Sequence, residues 1–198
     1  FPSHKKILKD VVQEMDSLLD VGCGESSPVR WLPKKIYRVG VDAYSPCLEI
    51  SRKRGIHNKY VNMDILNLEQ EFKNNSFDCV LASDVIEHLE KDDGLKLIKM
   101  MEKIAKKKVV ILTPNGFLKQ GQFDDNPLQV HRSGWNVKEM QGMGYEVIGL
   151  NGWKYLRGAC GYPRFKPKVL TALLSNISQI FLVGKPEKAF QILCVKTK

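Results

Sequence analysis

Short apolar runs alternate along the chain with segments of helical period, which is how a parallel sheet with crossover helices reads. Runs at Ser17–Val21, Tyr37–Val41, Phe77–Ala82, Lys108–Leu112, Tyr145–Leu150 and Phe190–Val195 predict buried strands, and a weaker one lies at Lys59–Met63. Helices are expected at Lys5–Glu14, at Pro46–Arg54 after Ser45 as N-cap, and at Gly94–Lys106 after Asp92 or Asp93. In the third, Leu95, Ile98, Met101 and Ala105 would form the inward stripe. A further helix, Trp135–Gly142, is expected after Ser133 as cap, with Gly144 releasing the chain into the next strand. The fold class predicted is α/β: a Rossmann-like, doubly wound, seven-stranded sheet, mostly parallel, with an antiparallel strand near the carboxyl terminus. One domain spanning 1–198 is expected. Residues 114–132 read as a cleft loop, and 152–188 as an insertion between the last two strands.

Within that insertion Val169, Leu170, Leu173, Leu174, Ile177, Ile180 and Phe181 share one helical face, flanked by Lys166, Lys168, Lys185 and Lys188. Such a stripe either covers the sheet or a partner subunit, or lies on an anionic membrane surface. Charge sharpens this. The net charge is +9, yet residues 1–150 hold 22 basic and 21 acidic side chains, whereas 151–198 hold nine basic ones and the single acid Glu187. The imbalance belongs to the tail, where RNA or lipid phosphates are candidate partners and a merely solvated tail is the plain alternative.

A composition of 43% hydrophobic and 27% charged residues excludes a disordered or fibrous chain. No apolar run approaches the roughly twenty residues of a membrane span. Nor is there an apolar run behind the initial charges to serve as a secretory signal. The sequence opens on Phe1 instead of Met, as a fragment would. Five scattered cysteines without a C-x-x-C pair argue for a reducing, cytoplasmic setting and against a disulfide framework or structural zinc.

The strongest chemical signal is Asp20-Val21-Gly22-Cys23-Gly24 directly after the first strand, where a backbone turn can approach a ligand closely. Asp42 ends the second strand and can accept hydrogen bonds from both hydroxyls of a ribose. Each residue alone has a plain structural reading as a turn or cap; their joint order favours a nucleoside ligand. A dinucleotide site would want a third glycine where this chain has Ser27. Asp20 would repel a pyrophosphate but attract an ammonium group. A nicotinamide-dependent oxidoreductase or a noncatalytic nucleotide-binding module is therefore the weaker alternative.

From about Ser17 to Gly116 the chain resembles the class I S-adenosylmethionine-dependent methyltransferases of the small-molecule type. Asp20, Gly22, Cys23 and Gly24 are similar to the first motif, which wraps the methionine part of the cofactor. Asp42-Ala43 resembles the ribose-binding acid, and Met63-Asp64-Ile65 the adenine-binding segment. Ser83-Asp84-Val85 opens a stretch, through Glu87-His88-Leu89, similar to the loop after the fourth strand; Val109–Gly116 resembles the fifth strand and its turn. The resemblance implies S-adenosyl-L-methionine as cofactor and methyl transfer to the oxygen, nitrogen or carbon of a small molecule such as a sugar, quinone-like compound or lipid precursor. RNA is the alternative acceptor, through the basic segment.

Transfer to a hydroxyl or amine also needs a group that takes a proton, and His88 and His131 are the candidates. Each has a plain alternative, packing for His88 and loop anchoring for His131. No Asn/Asp-Pro-Pro-aromatic run follows the fourth strand, which discounts methylation of adenine or glutamine amino groups. Cys79 and Cys47 are poorly placed to attack a pyrimidine carbon. No metal site is expected, with Asp84 and Asn115 the residues that would contribute ligands to one. Trp135 and Trp153 are candidates for the cleft mouth.

Overall fold

The computed structural model describes residues 3–121, 126–158 and 161–198. The strands are β1 Ser17–Val21, β2 Tyr37–Asp42, β3 Lys59–Asn62, β4 Phe77–Ser83, β5 Ala105–Pro114, β6 Glu146–Trp153 and β7 Ala189–Thr197. The helices are α1 His4–Val12, α2 Ser45–Lys53, α3 Leu68–Glu71, α4 Lys91–Ile104, α5 Val137–Gly142 and α6 Lys168–Leu182. The strands form one sheet in the order β3-β2-β1-β4-β5-β7-β6. β7 pairs antiparallel with both β5 and β6, so it alone of these strands runs against the rest. The predicted class and mixed sheet are what the chain adopts.

The central strands read as continuous apolar runs because both faces of the sheet are covered. Their side chains divide by alternation. Leu19, Val21, Val80, Ala82, Val109 and Ile111 enter the core that α4 and α5 close. Leu18, Cys79, Leu81, Val110 and Leu112 enter a second core with Leu8 and Val12 of α1.

Three caps differ from expectation. α2 begins at Ser45 itself; Asp42 Oδ1 accepts from the Tyr44 amide at 2.8 Å, which fixes the turn before the helix, while the Ser45 hydroxyl donates to Asn62. α4 starts at Lys91 because the Gly94 amide already bonds the Glu90 carbonyl, which leaves Asp92 and Asp93 inside the first turn, where the helix dipole favours them. Its buried face is also wider than the stripe expected, with Leu97, Met100 and Ile104 beside Ile98 and Met101. α5 is capped by Asn136 in a capping box with Glu139. Ser133 instead donates to the Ile86 carbonyl and accepts from Trp135 Nε1. Trp135 is fully buried, in the core and not at the cleft mouth, over a glycine whose added Cβ would stand 2.5 Å from its ring, Gly94.

The helix in the insertion faces the opposite way from a sheet-covering one. α6 buries Thr171, Ser175, Gln179 and Leu182, while Val169 is 83% and Phe181 69% exposed. The cause is β6. It is an edge strand, and its outward backbone groups need partners. Gln179 supplies two, donating to the Gly149 carbonyl at 2.9 Å and accepting from the Gly152 amide at 2.8 Å. Ser178 accepts from the Trp153 amide, and the Gly149 amide reaches the Val183 carbonyl. Polar side chains therefore had to face the protein, and the apolar stripe faces out. No described helix is long and apolar enough to cross a membrane.

This close seating requires glycine. A Cβ on Gly152, at φ 74°, would lie 2.1 Å from the Ser175 carbonyl oxygen. Gly152→Ala is expected to cost about 2–5 kcal/mol from backbone strain plus overpacking. It should also accelerate amide exchange across 168–182; unchanged stability and exchange would show that the helix is not seated on this edge.

Candidate functional site

The carboxyl ends of β1, β2 and β4 open onto a cavity of about 260 Å³. Gly22 leaves β1 in the left-handed region at φ 65°, and a Cβ there would stand 2.6 Å from a methyl of Val85. Gly24 is also left-handed, at φ 53°, but nothing lies within 4 Å of the Cβ position, so the space beside it is open. Across from it, Asp42 Oδ2 accepts from the Gly24 amide at 2.8 Å and Oδ1 from the Tyr44 amide at 2.8 Å. Those bonds aim the carboxylate and leave each oxygen a lone pair for ligand hydroxyls. Burial lifts the Asp42 pKa above its ordinary value, against the pull of the two amides, and Asp20 adds to the rise.

Of the residues predicted to bind a cofactor, Gly22, Asp42, Ala43, Asp64, Ile65, Asp84 and Val85 line this cavity. Asp64 caps a short 3-10 turn by accepting from the Leu66 amide at 2.9 Å, which leaves its other oxygen uncommitted by that bond. Ile65, Leu66, Val85 and Leu89 supply apolar walls between the acids. Asp20, Cys23, Gly24, Met63 and Ser83 are not part of the lining. Cys23 is buried, and burial pushes its thiol pKa far up, with Asp20 and Asp42 adding to the rise, so it stays protonated. Met63 packs on the core, and Ser83 donates to Asp84 Oδ2 at 3.3 Å.

Asp20 carries an unforeseen partner. Its Oδ2 lies 2.8 Å from His57 Nε2, both side chains are buried, and Oδ1 is buried without a protein partner. His57 fits because Gly40 has no side chain; a Cβ there would stand 2.9 Å from the imidazole and 2.9 Å from Cys23 Sγ. The sequence places His57 37 residues from Asp20 with no spacing signal, and Gly40 in mid-strand is the clue.

Beyond Asp84 and His88 a second cavity of about 470 Å³ opens, reaching Gln120, His131, Arg157 and Gln191. The cleft loop and the insertion both contribute to it: Leu118, Gln120, Gln129 and His131 from the loop, Arg157 and Gly161 from the insertion. Residues 122–125 of that loop, and Cys160, lie outside the described residues. Asn115 faces the other way, donating to the carbonyls of Pro186, Glu187 and Ala189. Trp153 is on the outer surface near Tyr155.

Asp84 adopts φ 54° as its amide bonds the Leu112 carbonyl at 2.8 Å, and its Oδ1 accepts from Gln191. It reaches solvent through the cavity, yet the surrounding protein pushes its carboxyl up to about 6, against the Ser83 and Gln191 hydrogen bonds. Glu87, assigned no role of its own from the sequence, is 2% exposed and raised well above the usual carboxylate range by burial and by Asp84. The rings of His88 and His131 meet edge to face with centroids 4.7 Å apart. Burial, then His131, lowers His88 to about 4; burial lowers His131 too. Both imidazoles are therefore neutral at pH 7.

Residues 19–113 match the family model described as a methyltransferase domain. Three solved structures share the fold. One is an SAM-dependent methyltransferase from Archaeoglobus fulgidus, 15% identical, with 98% of this chain and 94% of that one covered and a TM-score of 0.60. Another is the plantazolicin methyltransferase BamL in complex with a triazolic desmethylPZN analog and SAH, at 14% identity, 98% and 82% coverage and TM-score 0.57. The third is the small RNA methyltransferase HEN1, at 18% identity and TM-score 0.59, with 96% of this chain but 24% of that one covered. No curated protein sequence matches the chain. The domain matched over residues 19–113, together with the shared fold, supports the class I S-adenosylmethionine-dependent methyltransferase superfamily.

The cavity fits that cofactor: a glycine turn with open space beside it, one acid poised for vicinal hydroxyls, and another beside apolar walls for adenine. Asp42→Ala should remove two hydrogen bonds from ribose to a charged acceptor, costing about 3 kcal/mol or roughly a hundredfold in affinity for S-adenosylhomocysteine. Calorimetry reads this, and equal affinity in a folded variant would overturn the ribose assignment.

Proposed function

We propose that this methyltransferase acts on a hydroxyl or amine of a polar small molecule held in the larger cavity. The observation that carries this reading is that the cavity shares Asp84, His88 and Gln129 with the cofactor cavity, so its contents adjoin the transferable methyl. Amide and carboxylate side chains dominate the shared wall, which suits an acceptor rich in hydrogen-bonding groups. S-adenosylmethionine supplies a methyl on a sulfonium, whose positive charge makes the thioether a good leaving group. The protein's part is alignment and exclusion of water, which in well-oriented cases contributes about 7–11 kcal/mol. His88 and His131, expected from the sequence to take the acceptor's proton, face this cavity as neutral rings.

The test is transfer of radiolabelled methyl from S-adenosylmethionine into a fractionated extract, with and without RNase. Label in an RNase-resistant small-molecule or organic-soluble fraction is the expected result. RNase-sensitive label would overturn it in favour of an RNA acceptor.

We further propose that α6 rests on an anionic lipid surface, making the enzyme peripheral to a membrane on its cytoplasmic side. Seven large apolar residues of α6 are exposed, from Val169 to Phe181, and the helix contains no acid. Trp153, Tyr155 and Phe165 form an exposed aromatic row beside it, and Lys166, Lys168, Lys185 and Lys188 bracket it. An apolar face ringed by cations matches lipid tails beneath anionic headgroups. The wild-type enzyme should co-sediment with vesicles containing phosphatidylserine, less so at high salt, and the pair Leu173→Glu/Ile177→Glu should stay in solution. Absence of binding would overturn this reading, as would a wild-type dimer that the same pair dissociates.

A further inference from the structure

We propose that Glu87, His88 and His131 form a binding site for one divalent transition-metal ion, placed where the acceptor cavity meets the cofactor cavity. One ligand atom from each of the three lies within 4.8 Å of the others. Ligands about 2.1 Å from a shared ion in tetrahedral geometry stand roughly 3.4 Å apart, so side-chain shifts of up to about an ångström would close the site.

The surroundings of each residue are those of a ligand. Nδ1 of His131 lies 2.6 Å from the Leu118 carbonyl, and Nδ1 of His88 lies 3.3 Å from the Val130 carbonyl. A carbonyl accepts only, so in both rings Nδ1 carries the proton and Nε2 the lone pair. Fixing the tautomer in this way through the other nitrogen is the usual support of a metal-bound imidazole. Glu87 Oε2 accepts from the Thr113 hydroxyl at 3.0 Å, whereas Oε1 is buried with no partner. A buried carboxylate oxygen left bare costs free energy that a cation would recover. Asp84 stands beside it, and no Lys or Arg forms an ion pair with either acid among the described residues.

The scaffold joins the ligands firmly. The Glu87 carbonyl accepts from the amides of Arg132 at 2.8 Å and Ser133 at 3.1 Å, so the segment bearing His131 is tied to the turn bearing the other two. Mixed nitrogen and oxygen ligation favours Mn²⁺, Fe²⁺, Co²⁺ or Zn²⁺ over Mg²⁺ and Ca²⁺, which prefer oxygen alone. Three protein ligands leave coordination positions open toward the cavity. There an acceptor oxygen can bind, and a bound ion makes a hydroxyl more acidic than His88 alone could. That role rests on reading the cavity as the acceptor site; the ion binding does not.

Metal-stripped protein titrated with Mn²⁺, followed by the loss of the free-ion electron paramagnetic resonance signal, and with Zn²⁺ by calorimetry, should bind one ion per chain. Glu87→Gln, which preserves shape, and His131→Ala should each weaken binding by roughly a hundredfold or more. Neither residue lines the cofactor cavity, so S-adenosylhomocysteine affinity in both variants reports that the fold is intact. No binding by the wild type, or equal binding by a folded Glu87→Gln variant, overturns the site. A failure to find a small-molecule acceptor would leave the titration untouched, so the two readings fail separately.

Discussion

The arrangement at the mouth of the sheet depends on the turn that follows β4 being gripped from both sides. On one side Val85 packs against Gly22, which can have no side chain at that distance. On the other, the Ile86 carbonyl accepts from Ser133 Oγ at 3.1 Å and Trp135 Nε1 at 3.2 Å, while the Glu87 carbonyl takes two backbone amides. Trp135 reaches that position because Gly94 lets its ring lie against α4, where Lys91 Nζ sits 3.6 Å from the ring centroid. A turn of five residues thus carries Asp84 and His88 between two cavities, held by a strand end, a helix and a returning loop. Such redundancy is what keeps Asp84 in a left-handed conformation that costs a non-glycine residue about 1–2 kcal/mol.

A second fixed element lies behind the glycine turn. Asp20 and His57 are both buried, and a buried pair of this kind contributes little net stability after desolvation. What it supplies is orientation: His57 is itself held by the Tyr60 hydroxyl at its backbone amide and by an edge-to-face contact with the Tyr60 ring. One carboxylate oxygen is thereby engaged, and the other stays buried without a partner. Gly40 is the residue that permits it, so a mid-strand glycine in β2 shapes the chemistry of β1.

Strand positions were legible because buried parallel strands leave continuous apolar runs, and the order of Gly22, Asp42 and Asp64 pointed to residues that line one cavity. What was not legible has physical causes. Glu87 reads as an ordinary polar residue in a loop, since nothing local says that the chain returns at Arg132 to cover it. His57 has no fixed spacing from Asp20. The face of α6 was ambiguous because periodicity locates an apolar stripe without saying which way it points. A signal for its direction did exist: Thr171, Ser175 and Gln179 repeat every four residues opposite the stripe, and Gly149 and Gly152 lie in the strand before it. Small and polar residues on both partners describe a helix that satisfies a strand edge instead of filling a core.

The reversal of β7 also divides the charge that composition places in one tail. Because β7 runs against its neighbours, Phe190 and Gln191 at its start reach the cavity beside Asp84, and its end lies at the opposite rim of the sheet, where Thr197 pairs with Lys108. Lys196 is spent there on Glu102 at 2.9 Å, and Lys198 on the carbonyls of Glu102 and Ala105. Arg157 is turned inward to Ser175 and the Gly161 carbonyl. The remaining six cations, Lys154, Arg164, Lys166, Lys168, Lys185 and Lys188, belong to the segment around α6. A phosphate backbone crossing the active site would want positive charge distributed along the cleft. Here the charge that is left gathers beside an exposed apolar helix, a combination suited to a surface with headgroups outside and hydrocarbon within.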